Sequence, residues 1–200
     1  MNRIRDVKRL LKVKGRRGPG RASFELGRKA RDLLLAGRSE VDLTRKEISL
    51  LIRAYNWSGE HPAGYALAFK AVQRWGSGFF RDLLIAHHNA FHADKKRFLE
   101  ELDRLIALGI GKAGYWRLIK VDYLIEEATG EDHKDFDWQL GDPIVDIAAL
   151  TAAAHELSVA INEGALCDAE LRRGWNERFA CVVSMPEYSN LRRVSRKRFW

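Results

Sequence analysis

The sequence predicts an all-α protein, an irregular bundle of seven or eight helices with a basic N-terminal arm and a basic C-terminal tail. Three observations predict this class. Apolar residues recur at i, i+3, i+4 and i+7 through most of the 200 residues, which is the spacing of a helix with one buried face. Capping residues and glycine or proline stops bound these segments. No segment combines sustained apolar–polar alternation with hairpin turns, so we expect strands to be minor at most.

The first 37 residues predict two basic amphipathic helices joined by a glycine-rich turn at residues 14–20. The first helix covers residues 3–13, and its aliphatic side chains fall on one stripe: Ile4, Val7, Leu10 and Leu11. The second runs from Ser23, the expected N-cap, to Gly37, the expected stop. Its side chains available to a core are Phe24, Leu26, Leu33 and Leu34.

The next two helices have clear start signals. Thr44 and Glu47 have the spacing of a capping box, in which two side chains satisfy free amides at a helix start. The apolar stripe that follows consists of Ile48, Leu51, Ile52 and Tyr55. After a turn at residues 57–59, Pro62 suits the first turn of a helix that runs to Trp75. One side of that helix carries Tyr65, Phe69 and Val72.

Four more segments complete the predicted bundle. Residues 79–108 are expected to form one helix with a bend near residues 92–95, and residues 115–128 form the next. Asp142 and Pro143 suit the N-cap and first position of an alanine-rich helix that reaches about Asn162. A last helix is expected over residues 168–186.

Composition predicts one helical core domain, residues 23–186, between the basic segments 1–22 and 187–200. Hydrophobic residues make up 46% of the chain, enough for a core without metal or disulfide help, so Cys167 and Cys181 are expected to be reduced thiols. The longest apolar runs fall far short of the roughly 20 residues that cross a bilayer. The first residues also lack the apolar stretch of a signal peptide, so we expect a cytoplasmic protein without a membrane segment.

Charge is distributed unevenly along the chain. Residues 1–31 contain 12 Lys and Arg against two acids, and residues 192–200 contain five Lys and Arg and no acid. Residues 122–170 contain 13 acids and one Lys. The formal net charge of +8 therefore combines two basic ends with an acidic third quarter.

The two basic ends predict binding to nucleic acid, either DNA or RNA. Cations in a glycine-rich turn between basic helices can approach successive phosphates and release counterions, and Phe199 and Trp200 could stack on bases. Alternatively, both ends fold back on the acidic residues 122–170 of the same molecule or of a neighbour. The residues expected to bind nucleic acid are Lys12, Lys14, Arg16, Arg17, Arg21, Arg28, Lys29, Arg192, Arg193, Arg196, Lys197 and Arg198.

Residues 43–75 also have the order of elements of a helix-turn-helix, a motif in which the second helix contacts the bases of DNA. The side chains expected on the outside of that second helix are Tyr65, Lys70, Gln73 and Arg74. The turn at residues 56–61 is longer than the three or four residues usual in that motif. The sequence therefore favours an ordinary packed helical hairpin.

Histidines form the most enzyme-like group. His88 and His92 are four residues apart, so they share one helix face as metal-binding pairs do. A zinc site would need a third ligand and a base, and no glutamate lies next to His88. We therefore predict no metal site, with His88 and His92 as the candidates should one exist, and no cofactor or catalytic residue. We expect these two residues and His87 to line a helix interface. The carboxylates of residues 131–146 are interpreted as a solvated loop with a helix cap, although such groups can bind divalent ions.

Three functions are compatible with these patterns. The sequence favours a non-enzymatic nucleic-acid-binding protein that uses its basic termini for phosphate-backbone contacts. The second is a helical adaptor or inhibitor that binds a protein partner through the acidic residues 122–170. The third is a small metal-dependent nuclease or toxin, so an enzyme is the less expected class.

Overall fold

The computed structural model of the chain describes residues 3–12, 21–111, 113–130 and 146–163. These residues contain eight α-helices, two short 3₁₀ helices and no strand, which confirms the all-α prediction. None of these helices combines the length and apolar character needed to cross a membrane. The α-helices are α1 (Arg3–Leu10), α2 (Arg21–Leu35), α3 (Arg45–Trp57), α4 (His61–Trp75), α5 (Phe80–Phe91), α6 (Lys95–Ala107), α7 (Ala113–Thr129) and α8 (Ile147–Asn162). The 3₁₀ helices are Glu40–Asp42 and Gly76–Phe79.

The chain divides into two compact units, an N-terminal unit (Met1–Asp94) and a C-terminal unit (Lys95–Trp200). Helices α1 to α5 belong to the N-terminal unit, and helices α6 to α8 belong to the C-terminal unit. The predicted segment boundaries after residues 22 and 186 stay predictions.

Consecutive helices of the N-terminal unit pack on one another, from α1 on α2 through to α4 on α5. Gly27 marks a close approach between α2 and the end of α3. A Cβ atom at Gly27 would lie 2.5 Å from the backbone nitrogen of Ser58, which real Cβ atoms essentially never do. The missing side chain therefore allows the two backbones to meet. Val7 and Leu11 are buried, so α1 is part of this packed unit.

Helix α3 begins where the sequence predicts. The Thr44 Oγ1 accepts a hydrogen bond from the backbone N–H of Glu47, and the Glu47 Oε2 accepts one from the backbone N–H of Thr44 at 2.9 Å. This reciprocal pair satisfies two amides that the helix itself leaves free. The four predicted core side chains are buried: Ile48, Leu51, Ile52 and Tyr55.

In the C-terminal unit, α7 packs on both α6 and α8. Trp116 of α7 is fully buried, and its indole Nε1–H donates to the carbonyl oxygen of Ile110 at 2.7 Å. Phe98 of α6 stacks on Tyr123 of α7 with ring centroids 4.1 Å apart. The leucines and alanines of α8 supply the remaining core, including Leu150, Ala153, Leu157 and Ala160.

The predicted helix over residues 79–108 is wrong, because the chain breaks at residues 92–94 instead of bending. The backbone N–H of Asp94 donates to the carbonyl oxygen of Phe91 at 2.9 Å, which closes a turn between α5 and α6. Aspartate directly before a helix is also a preferred cap type, so the sequence contains a start signal at this break.

The predicted cap of α2 is also wrong. Helix α2 begins at Arg21, so Ser23 lies inside it, and Phe24 is 37% exposed instead of buried in the core. Helix α8 begins at Ile147, where Asp146 Oδ1 accepts from a backbone N–H at 3.0 Å and acts as the cap. The predicted start at residues 142–143 and the predicted last helix lie outside the described residues.

Candidate nucleic-acid interface

Helix α1 has a basic side that faces solvent. The buried residues of α1 and of the turn after it are Val7 and Leu11, on the side that packs on α2. The exposed side chains of α1 and of the turn after it are all basic: Arg5, Arg9 and Lys12. Because Arg5 and Arg9 are one helical turn apart, they lie one above the other on this side.

Two further predicted binding residues, Arg28 and Lys29, lie on the exposed side of α2. Helices α1 and α2 run antiparallel, since the Arg3 Nη2 at the start of α1 lies 3.5 Å from the Ala36 carbonyl oxygen after the end of α2. At about 1.5 Å per residue, Lys12 therefore lies at roughly the level of Arg28. The C-terminal end of α1, which Lys12 follows, thus lies beside the middle of α2, where Arg28 and Lys29 are.

Most carboxylates of the N-terminal unit form hydrogen bonds or ion pairs with other residues of the same unit. Arg38 makes a two-point contact with Glu47, with Nη1–Oε1 and Nη2–Oε2 distances of 2.7 and 3.0 Å. The hydrogen bonds from Arg38 outweigh burial and lower the pKa of Glu47 to about 2. Glu47 is therefore ionised at neutral pH and fixes the connection between α2 and α3.

Other acids of this unit are held in the same way. Arg31 contacts both Glu60 and Asp32. The hydroxyl of Tyr55 donates to Glu40 at 3.2 Å, and burial together with that carboxylate raises the pKa of Tyr55 to about 12. These contacts leave few carboxylates to neutralise the surface cations.

Apart from Arg3, which donates to the Ala36 carbonyl oxygen, ten Lys and Arg side chains of the N-terminal unit make no ion pair with any residue that the structure describes. Nine of them are exposed, and Lys8 is half-buried. A phosphate can contact such a cation without breaking an internal ion pair. The ten are Lys8, Arg9, Lys12, Arg28, Lys29, Arg45, Lys46, Arg53, Arg74 and Arg81.

Two of these cations lie beside aromatic rings in a cluster that we call the arginine–aromatic corner: Arg45, Arg74, Trp75 and Phe79. The Arg74 Cζ lies 4.5 Å from the centroid of Trp75, and the Arg45 Cζ lies 5.3 Å from that of Phe79. The two rings are 5.4 Å apart. Phe79 is buried and Trp75 is half-buried, so the corner offers the charge of its arginines and the ring of Trp75 as a flat surface of the kind that unpaired nucleotides bind.

Helices α3 and α4 pack directly on each other, as the hairpin interpretation predicts. Tyr65, expected on the outside, is only 7% exposed, and its ring contacts Phe91 at a centroid distance of 4.9 Å. That prediction is wrong because α4 is buried on more than one side, by α3 and by α5. The other three expected outer residues are exposed: Lys70, Gln73 and Arg74.

The three neighbouring histidines have different environments. His87 is fully buried between the rings of Tyr65 and Phe91, so it lines a helix interface as predicted. His88 and His92 are exposed, so the interface prediction is wrong for these two, and their rings stack with centroids 4.5 Å apart. Partial desolvation and the neighbouring His92 lower the pKa of His88. No group of three or more potential metal ligands occurs in the described parts of the chain.

The described part of the acidic segment 122–170 is partly neutralised within the C-terminal unit. Glu126 pairs with Lys95 at 3.0 Å, and Glu156 contacts both Arg117 and Lys120. Only some of its carboxylates therefore remain for a protein partner.

Several predicted binding residues lie outside the described residues, and so do the acids of residues 131–145. The predicted binding residues outside the described parts are Lys14, Arg16, Arg17, Arg192, Arg193, Arg196, Lys197 and Arg198. Arg21, in contrast, is placed within α2.

Comparison of the chain with protein-family models, with curated proteins and with solved structures finds no match.

Sequence reasoning missed the cations of α3 and the arginine–aromatic corner. One feature of the sequence could have indicated the cations of α3. Arg45 and Lys46 directly follow the N-cap Thr44, where the helix dipole favours acids, so basic residues there are a departure that requires a reason. No local pattern predicts the contact between Arg45 and Phe79, because it forms only when α3 packs near the end of α4.

Proposed function

We propose that the N-terminal unit binds nucleic acid through its exposed cations. The observation that supports this most is the set of ten Lys and Arg side chains without ion pairs, in a unit whose acids are largely held in internal contacts. The described residues of this unit contain 16 Lys and Arg and nine Asp and Glu, a net charge of +7. The binding surface would therefore include folded helices in addition to the basic termini.

Two kinds of contact would act together in this proposal. Cations of α1 and α2 would neutralise backbone phosphates and release counterions, a contribution that does not depend on base sequence. Trp75, which is half-buried, would stack on an unpaired base while Arg74 and Arg45 contact the adjoining phosphates. The corner thus favours single-stranded segments, whose bases are accessible.

Fluorescence anisotropy with labelled double-stranded DNA, single-stranded DNA and RNA tests this proposal at about 50 mM salt. Removal of residues 1–22 is a poor test, because Val7 and Leu11 are part of the core. The informative variant replaces four exposed cations with glutamine: Arg9, Lys12, Arg28 and Lys29. A matched control removes the same charge from exposed positions of the C-terminal unit: Lys95, Lys96, Arg97 and Arg104.

We expect the first variant to bind at least about tenfold more weakly and the control to bind within about threefold of the wild type. Absence of binding by the wild-type chain to all three nucleic acids would contradict the proposal. An equal loss in both variants would contradict the assignment to the N-terminal unit.

A further inference from the structure

His88 and His92 form an exposed pair at the end of α5. His92 is the C-cap and keeps helical dihedral angles, and its backbone N–H donates to the carbonyl oxygen of His88 at 3.0 Å. Helical geometry therefore continues through His92, and the two side chains leave the same face one turn apart. Their ring centroids are 4.5 Å apart.

This spacing suits two ligands of one metal ion. Imidazole nitrogens bound to a tetrahedral ion at about 2.0–2.1 Å from it lie roughly 3.3 Å from each other. Rotation about the outer side-chain torsion of histidine, which is broad and soft, brings nitrogens of neighbouring rings to that separation. Both side chains are exposed, so a hydrated ion can reach them.

We propose that His88 and His92 chelate a late first-row transition-metal dication, Cu(II), Ni(II) or Zn(II). Imidazole is a preferred ligand of these ions, whereas Mg²⁺ and Ca²⁺ prefer oxygen. The C-terminal end of α5 adds a partial negative charge that stabilises a cation at this position.

The site needs no third protein ligand, because water fills the remaining positions of the ion. It therefore differs from the closed sites of structural zinc, which have four protein ligands. Its open positions leave room for an additional ligand. The proposal is independent of nucleic-acid binding, since it involves neither the cations of α1 and α2 nor the arginine–aromatic corner.

Isothermal titration of the full chain with Cu(II), Ni(II), Zn(II) and Mg²⁺ tests the site, with His88→Ala and His92→Ala as variants. His155→Ala is the matched control, because it removes an exposed histidine of α8. Loss of one of two linked ligands removes the benefit of their high effective concentration, so each variant is expected to bind Cu(II) at least about tenfold more weakly. The control is expected to match the wild type, and Cu(II) is expected to bind most tightly.

Electron paramagnetic resonance of the Cu(II) complex supplies a second readout that a change in folding does not imitate. We expect nitrogen couplings from two imidazoles in the wild type and from one in each single variant. Unchanged affinity and unchanged couplings in both variants would overturn the proposal, as would an equal loss in the His155→Ala control.

Discussion

The two units use their charged side chains in opposite ways. In the described residues of the C-terminal unit, four of six Lys and Arg form ion pairs with acids of that unit: Lys95, Arg104, Arg117 and Lys120. In the N-terminal unit, Arg3 and the ten cations named above form none with described residues. Repulsion within a surplus of like charge opposes the compact state. Folding alone therefore does not explain the cations of the N-terminal unit, whereas the polyanionic partner that we propose would.

Glu156 lies at the centre of the ion pairs in the C-terminal unit. Its side chain is 12% exposed and contacts Arg117 Nη1 at 2.6 Å and Lys120 Nζ at 2.7 Å. Burial raises the pKa of Glu156, but the hydrogen bonds from Lys120 and Arg117 outweigh it and leave the pKa below its ordinary value. Glu156 therefore bridges two half-buried cations, and each of them also pairs with a second carboxylate, Glu163 for Arg117 and Asp103 for Lys120.

The largest effect is expected from Glu156→Ala. Because this change removes the carboxylate that Arg117 and Lys120 share and leaves each with only one, more exposed acid, it should lower the free energy of unfolding by about 1.5–3 kcal/mol. Urea unfolding measures the loss, and Glu127→Ala, at an exposed position of α7, is the control. A cost below about 0.5 kcal/mol for Glu156→Ala would mean that these pairs do not stabilise the unit.

Gly27→Ala tests a packing contact of the N-terminal unit that involves no charged side chain. The new Cβ would meet backbone atoms of Trp57 and Ser58, so we expect a loss of about 1–3 kcal/mol. The control is Gly64→Ala, where the Cβ would meet the movable Oδ1 of Asn56 at 2.8 Å and the cost should be smaller. Stabilisation by Gly27→Ala, as expected at an open helix position, would contradict the close approach.

The contact between Arg38 and Glu47 should make the N-terminal unit sensitive to acid. The folded pKa of Glu47, about 2, lies below the ordinary value of 4.5, so its stabilising effect is present above pH 4.5 and is lost as the pH falls through about 2. The urea midpoint of the wild type should therefore fall more steeply over this range than that of Glu47→Gln. Parallel curves for the two proteins would show that this contact contributes no pH-dependent stability.

The smallest effect is expected for exposed cations. Lys95→Ala breaks an exposed ion pair with Glu126 and should cost less than about 1 kcal/mol. Lys46→Ala removes a cation without an ion pair in the described residues, so it should be neutral or slightly stabilising. Thermal unfolding of both variants measures the difference, and a larger loss for Lys46→Ala than for Lys95→Ala would reverse the comparison between the units.

The sequence predicted those features that depend on neighbouring residues. The start of α3 follows from Thr44 and Glu47, three positions apart, and the burial of Ile48, Leu51 and Ile52 follows from helical spacing. The burial of Tyr65 agrees with the apolar stripe that it shares with Phe69 and Val72, and only the helix-turn-helix interpretation placed it on the outside.

The candidate site could be predicted only in part. The exposed cations of α1 and α2 are evident from composition. Composition does not show that these cations lack ion pairs. That depends on Glu47 and Glu60 pairing with Arg38 and Arg31, which lie 9 and 29 residues away along the chain.

The most direct test of the central claim is the salt dependence of binding to double-stranded DNA. Each neutralised phosphate contributes about −0.9 to the slope of log K against log salt concentration. Replacement of Arg9, Lys12, Arg28 and Lys29 with glutamine should make the slope shallower by about 2–4, while the four-residue control in the C-terminal unit should change it by less than about 1. Equal changes in the two variants, or no change in the first, would contradict the account.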